Sequence, residues 1–236
     1  MSITNVFTSS IGKKYIMAIT GMALFLFVVL HLLGNLQVFL GPEILNRYGA
    51  FLQGNIELLW PARIALLILV GLHIWSAVKL SAENRAARPQ PYVQQQLVAA
   101  SYASRSMLMS GLIIAAFIVY HLLHFTVQVK SINFTGRDFT TLVDAKQQHD
   151  IFAMMVIGFK NPVVSMAYAI AMFVLFLHLS HGVSAMFQSL GWKNPAHGPL
   201  IGRFAEVASW FVFLGYISIP IAILLGYGSG YEGLPK

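Results

Sequence analysis

From Lys14 to Leu40 the sequence is KYIMAITGMALFLFVVLHLLGNLQVFL, and after Lys14 it contains no Asp, Glu, Lys or Arg. A transmembrane helix needs about 20 consecutive, mainly apolar residues, so this stretch is long enough to cross a bilayer. It is also longer than the apolar core of a cleavable signal peptide, which has about 7 to 15 residues. We therefore interpret it as a retained membrane span that follows the basic pair Lys13-Lys14.

Four further apolar stretches of similar length follow along the chain. Of its 236 residues 57% are hydrophobic and 10% are charged, whereas soluble domains have about 25% charged residues. The sequence therefore predicts an all-α integral membrane bundle of five transmembrane helices that forms a single membrane domain over residues 1–236. The predicted spans are approximately residues 14–40, 60–80, 104–129, 162–188 and 204–227.

The basic residues are interpreted as topology signals. The formal net charge is +7, but the Lys and Arg side chains lie beside the apolar spans, which favours contact with a lipid bilayer over nucleic acid binding. The pair Lys13-Lys14 and the basic short loops predict a cytoplasmic N-terminus and a multi-pass protein of the cytoplasmic membrane. The longest connection, Lys130–Asn161, is predicted as a loop, and the glycine-rich tail Gly226–Lys236 as loose.

Cysteine is absent from the chain. This excludes disulfides, iron–sulfur ligation, thiolate zinc sites and thiol nucleophiles within it.

Histidine is the residue type that indicates a functional site in this sequence. A single histidine in a span could serve an interhelical hydrogen bond, but ionisable residues inside membranes are costly and usually functional. Here six of the eight histidines lie within four predicted spans, which favours a functional role. They are His31, His73, His121, His124, His178 and His181.

The depths of these histidines suggest two pairs. With a rise of about 1.5 Å per residue, His31 and His121 lie roughly 25 Å from the cytoplasmic ends of spans I and III. Spans II and IV run in the opposite direction, and there His73 and His178 lie roughly 9 and 15 Å from the cytoplasmic ends. The odd spans thus supply one pair in the outer half of the membrane, and the even spans supply a second pair in the inner half.

Two stacked histidine pairs in a helical bundle are typical of two haems, each held by two axial imidazoles. Zinc would need three or four ligands at one point, and a di-iron site would need clustered carboxylates. Small residues near the histidines could make room for a flat macrocycle, although each could equally serve helix packing. They are Gly21, Gly34, Gly71, Gly111 and Gly182.

The residues alone leave the choice of ligand open in two spans. His121 and His124 are both available in span III, and His178 and His181 in span IV. The segment His181-Gly-Val-Ser-Ala resembles His73-Ile-Trp-Ser-Ala, which favours His181, whereas depth cannot decide.

The ordered set of motifs resembles a known family. Ser10-Ile-Gly-Lys-Lys-Tyr-Ile-Met-Ala-Ile-Thr-Gly21, Tyr120-His121-Leu-Leu-His124 and Leu177-His178-Leu-Ser-His-Gly182 are similar to segments of the five-span, di-haem cytochrome b anchors of succinate:menaquinone oxidoreductases and fumarate reductases. The similarity covers nearly the whole chain. An internal similarity accompanies it, since Gly21 and Gly111 each precede a His-Leu-Leu by ten residues.

The resemblance implies that His31 with His121, and His73 with His178, are the axial ligands of two haem b groups. It also implies partners, namely a flavoprotein and an iron–sulfur subunit that dock on the cytoplasmic face. The chain would be the membrane subunit of a succinate dehydrogenase, respiratory complex II, passing electrons to quinone, with menaquinone expected. It would hold no flavin or iron–sulfur centre of its own. The roles of His124 and His181, the oligomeric state of the complex and the direction of turnover stay open. The alternatives are a fumarate reductase anchor that oxidises quinol, or another membrane b-type cytochrome.

Quinone reduction needs proton donors near a lipid-accessible site. Glu57, just before span II, is the predicted catalytic acid, with a solvated loop carboxylate as the alternative. Cationic side chains at span ends could pair with haem propionates or simply reach to the interface. They are Arg63, Lys79, Arg105 and Lys160.

Overall fold

The structure is a computed structural model, and it describes residues 3–87, 106–231 and 234–235. The described residues are overwhelmingly helical, and the only paired strands among them are β1 and β2, of two residues each. The elements are α1 Ile3–Thr8, α2 Ser10–Leu36, α3 Pro42–Gly54, α4 Ile56–Ala86, α5 Met107–His121, β1 Leu142–Val143, α6 Ile151–Lys160, α7 Pro162–Ser189, α8 Gly198–Leu224 and β2 Leu234–Pro235.

Five of these helices are long and apolar enough to cross a membrane, which confirms the prediction of an all-α, multi-pass membrane protein. The candidate spans are Ser10–Leu40, Ile56–Ala86, Met107–Thr126, Pro162–Ser189 and Gly198–Leu224. The first includes a 3-10 turn, Gln37–Leu40, and the third a π-helical turn, Leu122–Thr126. The first residues of predicted span III lie outside the described residues.

Many large apolar side chains on these helices are exposed. Leu67, Met109 and Val207 have 62%, 64% and 68% of their surface accessible. Apolar residues in such number on the outside of long helices are expected where the surrounding medium is lipid.

The chain divides into two compact units, and each contains a part of all five long helices. The first comprises Met1–Phe27, Arg63–Leu112 and Phe176–Trp210, and the second comprises Val28–Ala62, Ile113–Leu175 and Phe211–Lys236. In the first unit the ammonium of Lys13 is buried and forms an ion pair with Glu83 near the end of α4. Lys13 of the basic pair before span I therefore has a packing role in addition to the predicted role in topology, whereas Lys14 is exposed.

The second unit corrects the prediction that Lys130–Asn161 is a loop. Its last part is the helix α6, and seven of its ten residues are buried. The carboxylate of Asp150 caps α6 by accepting a hydrogen bond from the Ala153 N–H at 2.9 Å, as N-cap residues commonly do. A helix of ten residues is too short to cross a bilayer, so the length of its apolar part does not indicate a membrane span.

Asp150 is fully buried and accepts hydrogen bonds from three segments of this unit. Its Oδ1 also accepts a hydrogen bond from Asn46 Nδ2 at 2.9 Å, and its Oδ2 accepts one from the Tyr231 hydroxyl at 2.9 Å. β1 pairs with β2 in antiparallel fashion. The prediction of a loose tail is therefore wrong for its described residues, because hydrogen bonds join them to α6 and β1.

Candidate functional site

The first unit brings His73 of α4 and His178 of α7 together. Their ring centroids are 6.4 Å apart and their planes are inclined by 70°. Both side chains are half-buried. Of the two histidines of α7, His178 is the one whose ring faces His73.

A hydroxyl group lies against the Nδ1 atom of each histidine in this pair. Thr20 Oγ1, from α2, is 3.2 Å from Nδ1 of His73. Ser110 Oγ, from α5, is 3.1 Å from Nδ1 of His178. The two histidines thus have equivalent partners on two different helices, and both hydroxyl residues are buried.

A glycine follows each of these hydroxyl residues and packs against the same imidazole. A Cβ atom added at Gly21 would lie 3.2 Å from Cε1 of His73, and one added at Gly111 would lie 3.3 Å from Cε1 of His178. Such distances are tighter than ordinary van der Waals contact, so any larger residue would displace the ring. The hydroxyl–glycine dipeptides Thr20-Gly21 and Ser110-Gly111 therefore hold each ring by a hydrogen bond and by close packing.

The second unit brings His31 of α2 and His121 of α5 together. Their ring centroids are 5.9 Å apart with an interplanar angle of 78°. Phe117, one turn before His121, stacks on the His121 ring at 5.9 Å. Tyr216 of α8 lies 6.3 Å from the ring of His31. Aromatic side chains thus flank the pair, and both histidines are half-buried.

A tyrosine hydroxyl joins His121 to His124. The Tyr168 hydroxyl lies 3.2 Å from Nδ1 of His121 and 3.0 Å from Nδ1 of His124. His124 lies in the π-helical turn and is fully buried, stacked on Phe125. Its Nε2 is the one buried side-chain nitrogen or oxygen in the described part of the chain that has no hydrogen-bond partner. His124 therefore supports the second pair through Tyr168 and is not a member of it.

The spacing within both pairs suits two axial ligands of one iron. A bond between a metal ion and an imidazole nitrogen is about 2 Å long, so two imidazoles that face each other across one ion have ring centres about 6 Å apart. The observed separations of 6.4 and 5.9 Å are close to this value. No cluster of three or more His, Asp or Glu that could hold a metal ion occurs in residues 3–87, 106–231 and 234–235. The donor set therefore consists of histidine pairs, and it fits the bis-imidazole requirement of a low-spin haem.

The predicted catalytic acid, Glu57, shares its surroundings with neither histidine pair. It is exposed in the first turn of α4 and lines an open depression together with residues 54–56 and Leu58. An exposed side chain beside an open depression agrees with both interpretations of Glu57.

The other residues singled out in the sequence have varied surroundings. A Cβ atom at Gly34 would meet the Tyr48 hydroxyl at 2.9 Å, and one at Gly182 would meet Met107 Cε at 3.6 Å, whereas Gly71 has open space. These three glycines thus do not contact the paired imidazoles. Of the cations predicted at span ends, Arg63 and Lys79 lie inside α4 and not at its ends, whereas Lys160 is the last residue of α6. Arg105 lies outside the described residues.

Sequence reasoning missed the three residues whose hydroxyls lie within hydrogen-bond distance of Nδ1 of a paired histidine, namely Thr20, Ser110 and Tyr168. For the first two a signal was present, since each stands directly before the glycine of the internal similarity. For Tyr168 no comparable signal exists, because it is one aromatic residue among many in span IV.

Comparison with protein-family models, with curated proteins and with solved structures found no match for this chain.

Proposed function

We propose that this protein is the di-haem cytochrome b anchor of a succinate:quinone oxidoreductase. The observation that carries the proposal is the presence of two histidine pairs on membrane-spanning helices, each with the ring separation that a shared iron requires. The resemblance of the sequence motifs to this family supports it.

The residues that would hold the cofactors are His73 with His178 in the first unit, and His31 with His121 in the second. Bound haem b would supply one-electron transfer between an iron–sulfur subunit and a membrane quinone, which we expect to be menaquinone. The chain's own contribution is to orient the imidazoles, through the hydroxyls of Thr20, Ser110 and Tyr168.

The lack of cysteine excludes iron–sulfur ligation by this chain. We propose that a flavoprotein and an iron–sulfur protein complete the complex on the cytoplasmic face of the inner membrane. A fumarate reductase anchor that works in the quinol-oxidising direction is the second candidate, and the same histidine pairs would serve it.

The experiment is a pyridine haemochrome assay on the complex purified in detergent, together with a reduced-minus-oxidised spectrum. We expect about two haem b groups per chain, since each needs two axial imidazoles. Addition of succinate to anaerobic membranes should reduce them. A ratio near one, or the lack of a Soret band, would contradict the proposal. Haems that dithionite reduces but succinate does not would point to another b-type cytochrome.

A further inference from the structure

We propose that Thr20 and Ser110 are positioning residues that fix His73 and His178 in the tautomer with the proton on Nδ1 and the lone pair on Nε2. The inference rests on the proposed function, because it assigns the ring nitrogen through which each histidine would bind iron. It goes further in naming the residues that decide this chemistry.

The argument for His73 starts from the single proton of the Thr20 hydroxyl. Thr20 Oγ1 donates that proton to the backbone carbonyl of Ile16, one turn back in α2, at 2.6 Å, as helical threonines often do. Towards His73 the oxygen can then only accept, so Nδ1 of His73, 3.2 Å away, must be the donor. A neutral imidazole carries one proton, and with that proton on Nδ1 the lone pair is on Nε2.

The same reasoning applies to His178 with different residues. Ser110 Oγ donates to the backbone carbonyl of Met107 at 3.1 Å. It therefore accepts from Nδ1 of His178 at 3.1 Å. A threonine and a serine on two different helices thus impose the same tautomer on the two facing imidazoles.

This arrangement has the form of a second coordination shell. A histidine ligand commonly donates its other ring N–H to a neighbouring acceptor, which fixes the tautomer and increases the basicity of the ligating nitrogen. Gly21 and Gly111 pack against Cε1, the ring carbon bonded to Nδ1. Rotation of the ring is therefore limited by the hydrogen bond and by the packing together.

The test compares Thr20→Val and Ser110→Ala with matched controls in the intact complex. Valine keeps the shape of threonine and removes the acceptor. The controls are Ser165→Ala and Ser209→Ala, because both hydroxyls are buried and donate to backbone carbonyls, at 2.6 Å in each case. The readouts are low-temperature EPR of the oxidised haems and redox titration of each haem.

We expect Thr20→Val and Ser110→Ala to shift the EPR signal of one and the same haem and to raise its midpoint potential, since a less basic ligand stabilises ferric iron less. Both controls should match the wild type, and Thr20→Ser should restore the wild-type signal. Loss of that haem in Thr20→Val but not in Thr20→Ser would support the proposal equally. The proposal is wrong if Thr20→Val and Ser110→Ala match the controls, or if Thr20→Ser behaves like Thr20→Val.

A second measurement separates this inference from the proposed function. Solid-state NMR of membranes carrying ¹⁵N-labelled histidine reports which ring nitrogen bears the proton. A wild-type complex without haem would refute the proposed function while leaving the tautomer measurable. Protonation of Nε2 in His73 or His178 would refute the inference, whatever the haem content.

Discussion

His178 faces His73 with ring centres 6.4 Å apart. His121 faces His31 at 5.9 Å in the same way. Since each pair would hold its own cofactor, loss of either member should remove one haem and leave the other. We expect His73→Ala and His178→Ala to lose the same low-spin EPR signal, and His31→Ala and His121→Ala to lose the second.

The neighbouring histidines provide the controls for this prediction. His181→Ala and His124→Ala should keep both haems, with at most a shifted signal, because His181 does not face His73 and His124 acts through Tyr168. If His181→Ala abolishes a haem signal while His178→Ala retains both, the assignment of the ligand in α7 is wrong.

The two glycines against the imidazoles should be intolerant of a methyl group. Alanine favours helix by about 1 kcal/mol over glycine, so Gly21→Ala and Gly111→Ala would stabilise an isolated helix. In the protein each added Cβ would lie within 3.3 Å of a histidine Cε1. We expect a shifted EPR signal for the haem of that pair. Gly71→Ala and Gly202→Ala are matched controls, since nothing lies within 4 Å of a Cβ there. Equal spectra in all four variants would contradict close packing of the rings.

Glu57 should affect quinone chemistry and leave the haems unchanged. Its carboxyl group is exposed beside an open depression and is distant in sequence from every paired histidine. We expect Glu57→Gln to slow succinate-driven reduction of menaquinone analogues, because the amide cannot deliver a proton. The exposed Glu43→Gln is the control for loss of one carboxylate. Unaltered turnover in Glu57→Gln would assign Glu57 to the solvent-exposed surface.

The buried amide of Asn46 should be important for stability. It donates to Asp150 and accepts from the Phe152 N–H at 3.0 Å. Truncation to alanine leaves a buried N–H and a buried carboxylate oxygen short of partners, at a cost of about 1–3 kcal/mol for each such group. Asn46→Ala should lower the Tm in detergent, whereas Asn55→Ala, at an exposed site, should not. Equal Tm values would show that water replaces the amide.

The phenol of Tyr231 should lose its proton at a higher pH than an ordinary tyrosine. Burial, and then its hydrogen bond to Asp150, raise the pKa of the Tyr231 phenol from 10.0 to about 12. The folded protein therefore favours the protonated phenol, and this contribution to stability is complete below pH 10.0 and is lost as the pH rises towards 12. The ultraviolet difference titration of wild type against Tyr231→Phe isolates this group. A midpoint near pH 10.0 would contradict the buried hydrogen bond.

The five spans could be predicted because apolar length is a property of the sequence alone. Their ends could not, since hydropathy marks only the apolar part of a helix. Span II was predicted for residues 60–80, but α4 runs from Ile56 to Ala86 and so includes Glu57 and Glu83. The helix α6 was not predicted because its apolar run is too short to be recognised as a membrane span. Asp150, a typical N-cap residue directly before it, was the available signal.

Depth and helix direction suggested which spans supply each histidine pair, and the family resemblance chose His121 and His178 within their spans. The structure brings these histidines together. The rotation of each helix about its own axis could not be predicted from the sequence. These helices are apolar on all sides, so no amphipathic stripe indicates which face is turned inward. The contacts of Thr20, Ser110 and Tyr168 depend on that rotation, so they could not be predicted from the sequence.

The hydroxyl of Tyr168 has one proton and two imidazole neighbours, His121 and His124. If His121 binds iron through Nε2, as we propose, its Nδ1 carries the proton and donates to the Tyr168 oxygen. The hydroxyl proton is then available for Nδ1 of His124, whose own proton must move to Nε2, the buried atom without a partner. The tautomers of the two histidines are therefore coupled through one phenol. The position of the proton on His121 decides whether the buried Nε2 of His124 is a hydrogen-bond donor or an acceptor.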